Sequence, residues 1–471
     1  MKGDFSRLTF DPRKNFSSVL MQQGRVQLDA DWNEQGAILL HYVRTLVADL
    51  IGPHGGPGDG FKIEPYRDPD DFVILPGHYY VAGFLCENEG PLAYTGQPDC
   101  PLRENERLKR DATYLVYLDV WERHITCVED ERIREVALGG PDTTTRTKVV
   151  WQVIAMPIEP GKPETDEPAD VKNCATLLHE KLAEPDKSGA ARLRARAETR
   201  YRGVENHLYR VEVHYGSDRP GGPTFKWSRD NGSVAFPILA ITKPTTRSSD
   251  SDRTTVTDTT TLTLEHLDHD GPSGLTTGDW VELVDDDYVL QGRVEPLWQV
   301  HAIDPANVQV TLTKKRRRRS KSRTSTSPIS DAGQDPSKHP LLRRWDHRGG
   351  DHNMRGLQLH EGSAVIVEGE GEGENENSWL VLEKGVQIQF QKPAGRQPEN
   401  RYCTGDYWLI PARTATGDIE WPPYAAGPEA VVPQGVGHQY APLAIVSVME
   451  DGSVSATDCR RKIKPLPLLT E

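Results

Sequence analysis

Three stretches of the sequence carry side chains able to hold a metal ion. His266-Leu267-Asp268-His269-Asp270 would present ligands three residues apart on one face only if helical, and the Thr-rich residues before it read as strand. Asp346-His347 and Asp351-His352 flank Gly349-Gly350 and read as a turn carrying imidazoles, while Asp285-Asp286-Asp287 lacks the spaced ligands of a calcium loop. For nucleophilic chemistry there is no Gly-x-Ser-x-Gly elbow, no HExxH pair and no phosphate-binding glycine loop. A glycosidase would need two carboxylates at a fixed separation, and linear order singles out no such pair. The expectation is therefore no catalytic residues, no metal and no cofactor.

Charge supplies the other chemical signal. Lys314, Lys315, Arg316, Arg317, Arg318 and Arg319 open a block that continues through Lys321 and Arg323, inside a chain of net charge −14. Such a block attracts phosphate backbones or an acidic surface by releasing counterions. No aromatic residues are interleaved for base stacking and no nucleic-acid module surrounds it, so nucleic acid is not expected as a partner. A solvated, self-repelling loop and docking on an acidic protein surface both remain open. Glu368-Gly369-Glu370-Gly371-Glu372-Gly373-Glu374 reads as a flexible acidic loop.

The elements that must carry these residues are constrained by size and composition. At 471 residues the chain is too long for one small domain, and 41 Gly with 35 Pro call for many turns and short elements. No uninterrupted apolar run is long enough to span a bilayer; the best, Ala37 to Ile51, contains His41, Arg44 and Asp49. Met1-Lys2-Gly3-Asp4 opens no apolar leader, which predicts folding in the cytoplasm. Six scattered cysteines without a CxxC pair predict reduced thiols.

Phe5, Leu8, Phe10 and Phe16 punctuate a polar opening that reads as an extended arm. A helix follows, with Asp31 as N-cap, Glu34 completing a capping-box-like pair, and Gly52-Pro53 ending it. Ile38, Leu39, Tyr42, Val43, Leu46, Val47 and Leu50 cover about half its circumference, leaving His41, Arg44, Thr45 and Asp49 for the wet side. It packs either on its own domain or on a second copy or partner. His54 to Gly60 reads as a linker. Beyond it lie aromatic and β-branched runs bounded by Gly, Pro and Asp: Phe72 to Leu75, Tyr79 to Leu85, Tyr114 to Trp121, Lys148 to Ile154, Leu208 to His214, Thr224 to Ser228, Asp279 to Val284, Val308 to Leu312, Val386 to Phe390, Tyr407 to Ile410 and Ala441 to Val448. Cys174 to Arg196 reads as helix, Arg229-Asp230-Asn231-Gly232 as a hairpin turn, and Thr245 to Asp258 and Lys314 to Ser337 as polar loops. The fold class expected is mainly β with a few helices, in several antiparallel sandwich- or barrel-like modules after an N-terminal arm and helix. The segments are 1–57 (arm and helix), 58–160 (first β domain), 161–207 (linker and helix), 208–345 (second β domain) and 346–471 (C-terminal β domain).

Five segments belong together: Gly3-Asp4-Phe5-Ser6-Arg7 leading to Phe10-Asp11-Pro12; Val19 to Gln35, containing Met21-Gln22-Gln23-Gly24-Arg25-Val26-Gln27-Leu28-Asp29-Ala30-Asp31-Trp32-Asn33-Glu34; Val136 to Asp142; Phe225 to Val234; and Gly405 to Arg413. As a set they resemble an uncharacterised bacterial family whose genes lie in clusters for phage-tail-like contractile injection systems. The resemblance implies a structural part of the particle, at its baseplate or distal end, with other particle subunits (baseplate, spike or tube) as partners and a homo-oligomer possible. It implies assembly in the cytoplasm into a particle that is released or anchored. It carries over no catalytic residue. Some relatives add a C-terminal right-handed β-helix, which a chain ending at Glu471 is expected to lack. On this reading Phe5, Leu8, Phe10, Phe16, Leu39 and Leu46 dock the protein in its assembly. The competing expectation is a β-sandwich module binding surface glycans through Trp faces.

Overall fold

The computed structural model describes residues 1–158, 171–182, 190–242, 245–248, 255–267, 274–317, 331–349, 357–369, 379–393, 399–424 and 427–464. The protein is mainly β, with helices α1 (Asp29–Ile51), α2 (Val171–Leu182) and α3 (Asp286–Leu290) among the described residues. None of these helices is long and apolar enough to cross a membrane. The chain forms two compact units. One comprises Leu8–His124, Arg146–Pro185 and Val436–Glu471; the other comprises Met1–Arg7, Ile125–Thr145 and Asp186–Gly435. Strand pairing thus cuts across the linear segments 58–160 and 346–471, because Gln439–Val448 hydrogen-bonds to Ala112–Ile125 along nearly its whole length.

The first unit is organised around Ala112–Ile125, which lies between Gln439–Val448 and Arg146–Ile158. Tyr114, Val116, Leu118 and Val120 enter one core, and Leu115 and Tyr117 enter a second beneath α2. A strand covered on both faces reads as a continuous apolar run, as this one does. Helix α2 sets Cys174 against Cys459 in a disulfide, with Cα atoms 6.2 Å apart. These two cysteines are not reduced thiols as expected; partners 285 residues apart leave no spacing signal. The supposed linker is also structured. His54–Pro57 is a strand between Lys462–Ile463 and Gly77–Val81, buried from His54 to Gly56. Ladder hydrogen bonds on both edges offset the entropy that its glycines lose.

The second unit contains a closed six-stranded barrel. Ala235–Ile241, Leu341–Trp345, Trp280–Val284, Trp298–Asp304, Gln309–Arg317 and Thr255–Leu264 pair in that order, and the last returns to the first. Closure removes the free edges. Phe236, Leu262, Val281, Trp298, Leu312 and Leu342 fill the interior. Parts of two expected loops are strands: Thr245–Ser248 pairs with Thr255–Leu264, which pairs with Gln309–Arg317 as far as Thr255 opposite Arg317, while 249–254 and 318–330 lie outside the described residues. The Thr-rich run is polar but β-branched, and the ladder, not solvation, decides its conformation. Beside the barrel, Thr224–Ser228, His207–Val213 and Tyr407–Arg413 form the centre of a six-stranded sheet. It shares a core with Leu193–Ala197 and Val386–Gln391, through Tyr209, Val211, Phe225, Ile388, Phe390 and Trp408. Leu193–Ala197 therefore replaces the end of the expected Cys174 to Arg196 helix. Asn231 and Gly232 do adopt positive φ, but the strands on either side enter different sheets, so the turn is no hairpin. Glu368–Gly369 is a short strand parallel to Val386–Gln391, and residues 370–374 of the acidic run lie outside the described residues.

Candidate docking surface

The opening residues do not form a free arm. In His207–Val213, Tyr209, Val211 and Val213 face the apolar core while Arg210 and Glu212 occupy the other face, equally buried. There Lys2 Nζ lies 3.0 Å from Glu212 Oε1. Arg210 Nη1 donates to the Met1 carbonyl at 3.1 Å, Asn231 Nδ2 donates to the Gly3 carbonyl at 2.9 Å, and the Met1 amine donates to Tyr407 Oη at 3.0 Å. Lys226, stacked 4.3 Å over the Trp345 ring, donates to both oxygens of Glu282 at 2.9 Å, and Tyr288 and Trp345 donate to the same carboxylate. Burial alone would raise the pKa of each carboxylate, but the cations outweigh it: Lys226 and Lys2 hold Glu282 at about 2, and Lys2, Arg210 and Lys226 hold Glu212 well below the carboxylate range. Burial lowers Lys2 to about 8 and the Met1 amine to about 5. The cluster is an internally paired clamp on the first residues. Sequence reading missed it, since alternating Arg210 and Glu212 on a strand look like a wet face and the partners of Glu212, Lys2 and Lys226, lie elsewhere in the chain.

Helix α1 has the opposite character. It starts at Asp29 with Leu28 as an N-cap lacking a side-chain bond, and Glu34 accepts from Thr9 Oγ1, so the expected Asp31 capping box is absent. Its inward face mixes small and branched residues: Ala30 and Ile38 are buried, and Ala37, Val47, Ala48 and Ile51 are half-buried. Arg44, expected on the wet side, points inward. Its guanidinium donates to both oxygens of Glu122 at 2.6 and 3.2 Å and lies 4.0 Å over the Phe84 ring. Gly83, in the turn between Gly77–Val81 and Phe84–Asn88, makes this seat possible: a Cβ there would fall 2.3 Å from the Arg44 carbonyl oxygen. Close approach selects small residues, which carry little hydrophobic signal.

Apart from buried Ile38 and half-buried Val47 and Ile51, the large apolar residues of α1 face away from their own unit. Trp32 is 76% and Leu50 77% exposed, and Leu39, Leu40, Tyr42, Val43 and Leu46 between them are all exposed. The segment before the helix adds Leu20 at 83% and Val26 at 84%. Each such side chain gains roughly 1.5–3 kcal/mol on burial, so half a dozen offer on the order of 10 kcal/mol to a surface that covers them. Gly36 lies on the same face with nothing within 4 Å of its Cβ position. Mid-helix glycine costs about 1 kcal/mol relative to alanine, and nothing in its own chain requires it.

Of the expected docking residues, Leu8, Phe16, Leu39 and Leu46 are exposed, while Phe5 is half-buried and Phe10 packs its ring 5.6 Å from that of His41. Phe5 belongs to the clamped unit and the others to the unit carrying α1. The described start of the basic block is strand: Lys314 is half-buried with Nζ 4.3 Å over the Trp298 ring, Lys315 is exposed, and Arg316 and Arg317 continue the strand. Arg318 and Arg319 lie outside the described residues. Asp285 caps α3 and accepts from Gly333 N, while Asp286 and Asp287 pair with His339 and Lys338. His266 packs against Phe236, and His347 donates to the Gly362 carbonyl. Residues 268–270 and 351–352 lie outside the described residues.

Fold and surface together define a β-rich, multi-domain protein with an apolar face on its N-terminal helix. The chain belongs to a family of unknown function (DUF6519), whose model matches residues 1–159 and 171–466. No curated protein and no solved structure matches it.

Proposed function

We propose that this protein is a structural component of a phage-tail-like contractile injection particle, near the baseplate or distal end, attached to neighbouring subunits through its N-terminal arm, and that it is not an enzyme. The observation that carries the attachment is the exposure of Leu20 and Val26 in the arm just before α1, 83% and 84% accessible, two large apolar side chains that enter no core of their own unit. The particle itself is supported by the sequence resemblance of the segments from Gly3 to Gln35 and around Phe225 and Gly405.

The test is co-purification with sheared particles. Removing the whole arm would also remove the Lys2 clamp, so the informative variant is Leu20→Ser with Val26→Ser, which alters only exposed side chains. The protein should then melt normally yet leave the particle fraction. Retention of the double variant on particles would move the attachment surface elsewhere. Absence of the unaltered protein from particles, with retention of the free protein on a carbohydrate array, would replace this reading with the glycan-binding one.

A further inference from the structure

We propose that the outward face of α1 is a self-association seam, covered by the same face of a second copy of this chain. The spacing of the exposed residues carries the argument. Trp32, Gly36, Leu39, Val43, Leu46 and Leu50 follow one another at steps of four, three, four, three and four, the a/d repeat of a coiled coil, with Trp32, Leu39 and Leu46 at d and Gly36, Val43 and Leu50 at a. At 100° per residue all six fall within a sector of about 80°, opposite Ala30, Ala37, Arg44 and Ala48, which face the body. A face of merely surplus apolar residues would not keep this register for the length of the helix.

Area supports the same occupant. With aromatic side chains at roughly 150–250 Å² each and aliphatics somewhat less, the exposed apolar residues from Leu28 to Leu50 offer on the order of 800 Å², the share of one partner in a standard interface. A second copy presents a face of the same length and register, and among the described residues α1 is the one helix long enough to display such a face. Val43 at a between Leu39 and Leu46 at d is the layering that favours two strands. Gly36 gains a reason in this arrangement. Its missing side chain leaves a gap beside Trp32 that an indole from a second helix can enter, whereas within the chain the gap has no use. The seam takes residues on α1 and leaves Leu20 and Val26 of the arm for a neighbouring subunit, so this inference and the proposed attachment fail separately.

The test is sedimentation of the purified full-length chain. The expected mass is twice that of one chain, with a dissociation constant at or below about 1 µM. Leu39→Asp with Leu46→Asp should raise that constant at least about 100-fold while the monomer keeps the native circular dichroism, because both side chains are exposed. Thr45→Asp, the same charge change on an exposed position outside the seam, should leave association unchanged. A monomer at about 50 µM, a mass of three or more chains, or a double variant that still pairs would each overturn the proposal. Particle binding by a monomeric chain would refute the seam while leaving the attachment intact.

Discussion

His347 should make the barrel-containing unit acid-sensitive well above the carboxylate range. Its ring is buried, stacked at 4° on Trp280, and donates through Nε2 to the Gly362 carbonyl at 2.6 Å, while Nδ1 has no partner among the described residues. Burial, helped by the nearby Lys226 cation, lowers its pKa from 6.5 to about 4. Between those values the unfolded chain binds a proton that the folded chain refuses. Stability is therefore full above pH 6.5 and lost as pH falls towards 4. At 1.36 kcal/mol per pH unit the loss reaches about 2.5 kcal/mol by about pH 4.5, before most carboxylates protonate. His214, also buried and held well below its ordinary pKa, adds a loss in the same direction. The assay is urea unfolding followed by Trp fluorescence from about pH 7.5 to about pH 4.5, comparing the native chain with His347→Phe. The variant keeps the stack on Trp280 but leaves the Gly362 carbonyl unpaired, costing roughly 1–3 kcal/mol at every pH. Its pH slope should be shallower by the His347 share. An identical slope in both proteins would refute the reasoning.

Gly83→Ala should destabilise the unit carrying α1 by roughly 2–4 kcal/mol, from its φ of +82° and the collision with the Arg44 carbonyl, and should speed amide exchange along α1. Unchanged exchange would show that the helix is held elsewhere. Reducing the Cys174–Cys459 bond, or replacing both residues by Ser, should lower stability by roughly 2–5 kcal/mol, because the bond closes a loop of 285 residues. Mass spectrometry of a non-reduced digest should recover the linked peptides, and their absence would refute the pairing.

Strands and the existence of α1 were legible in the sequence because both follow from periodicity and punctuation. The run from Tyr114 to Trp121 and the stop at Gly52-Pro53 needed no tertiary information. Which side of α1 faces the body was not legible. Hydrophobic bulk normally points inward, but here Ile38 is the one large apolar residue buried, beside Ala30, and Arg44 seats the helix against Gly83, Phe84 and Glu122. The clamp around Lys2 was hidden for a related reason. Lys226 and Glu282 find each other across two sheets, 56 positions apart, and a charged residue in a strand carries no mark of whether its partner is water or another side chain. The first part of the Thr255–Leu264 strand, as far as Asp258, was hidden by polarity, since a hydroxyl reads as solvated until a neighbouring strand supplies the ladder.

The order in which the strand Ala112–Ile125 meets its neighbours has a consequence for biosynthesis. Arg146–Ile158 is available soon after it, but Gln439–Val448, which covers its other edge, leaves the ribosome only after the entire Asp186–Gly435 stretch has been made. At about 5–20 residues per second that interval is roughly 15–60 s, long compared with the folding of a small domain. A strand with one bare edge and apolar side chains on both faces must persist through it, and Cys174 must wait equally long for Cys459. The barrel-containing unit is complete first. A nascent chain of this protein therefore depends on whatever shields Leu115, Tyr117 and their neighbours until the last strands arrive, and slowing translation beyond residue 435 should raise aggregation more than slowing it before residue 112.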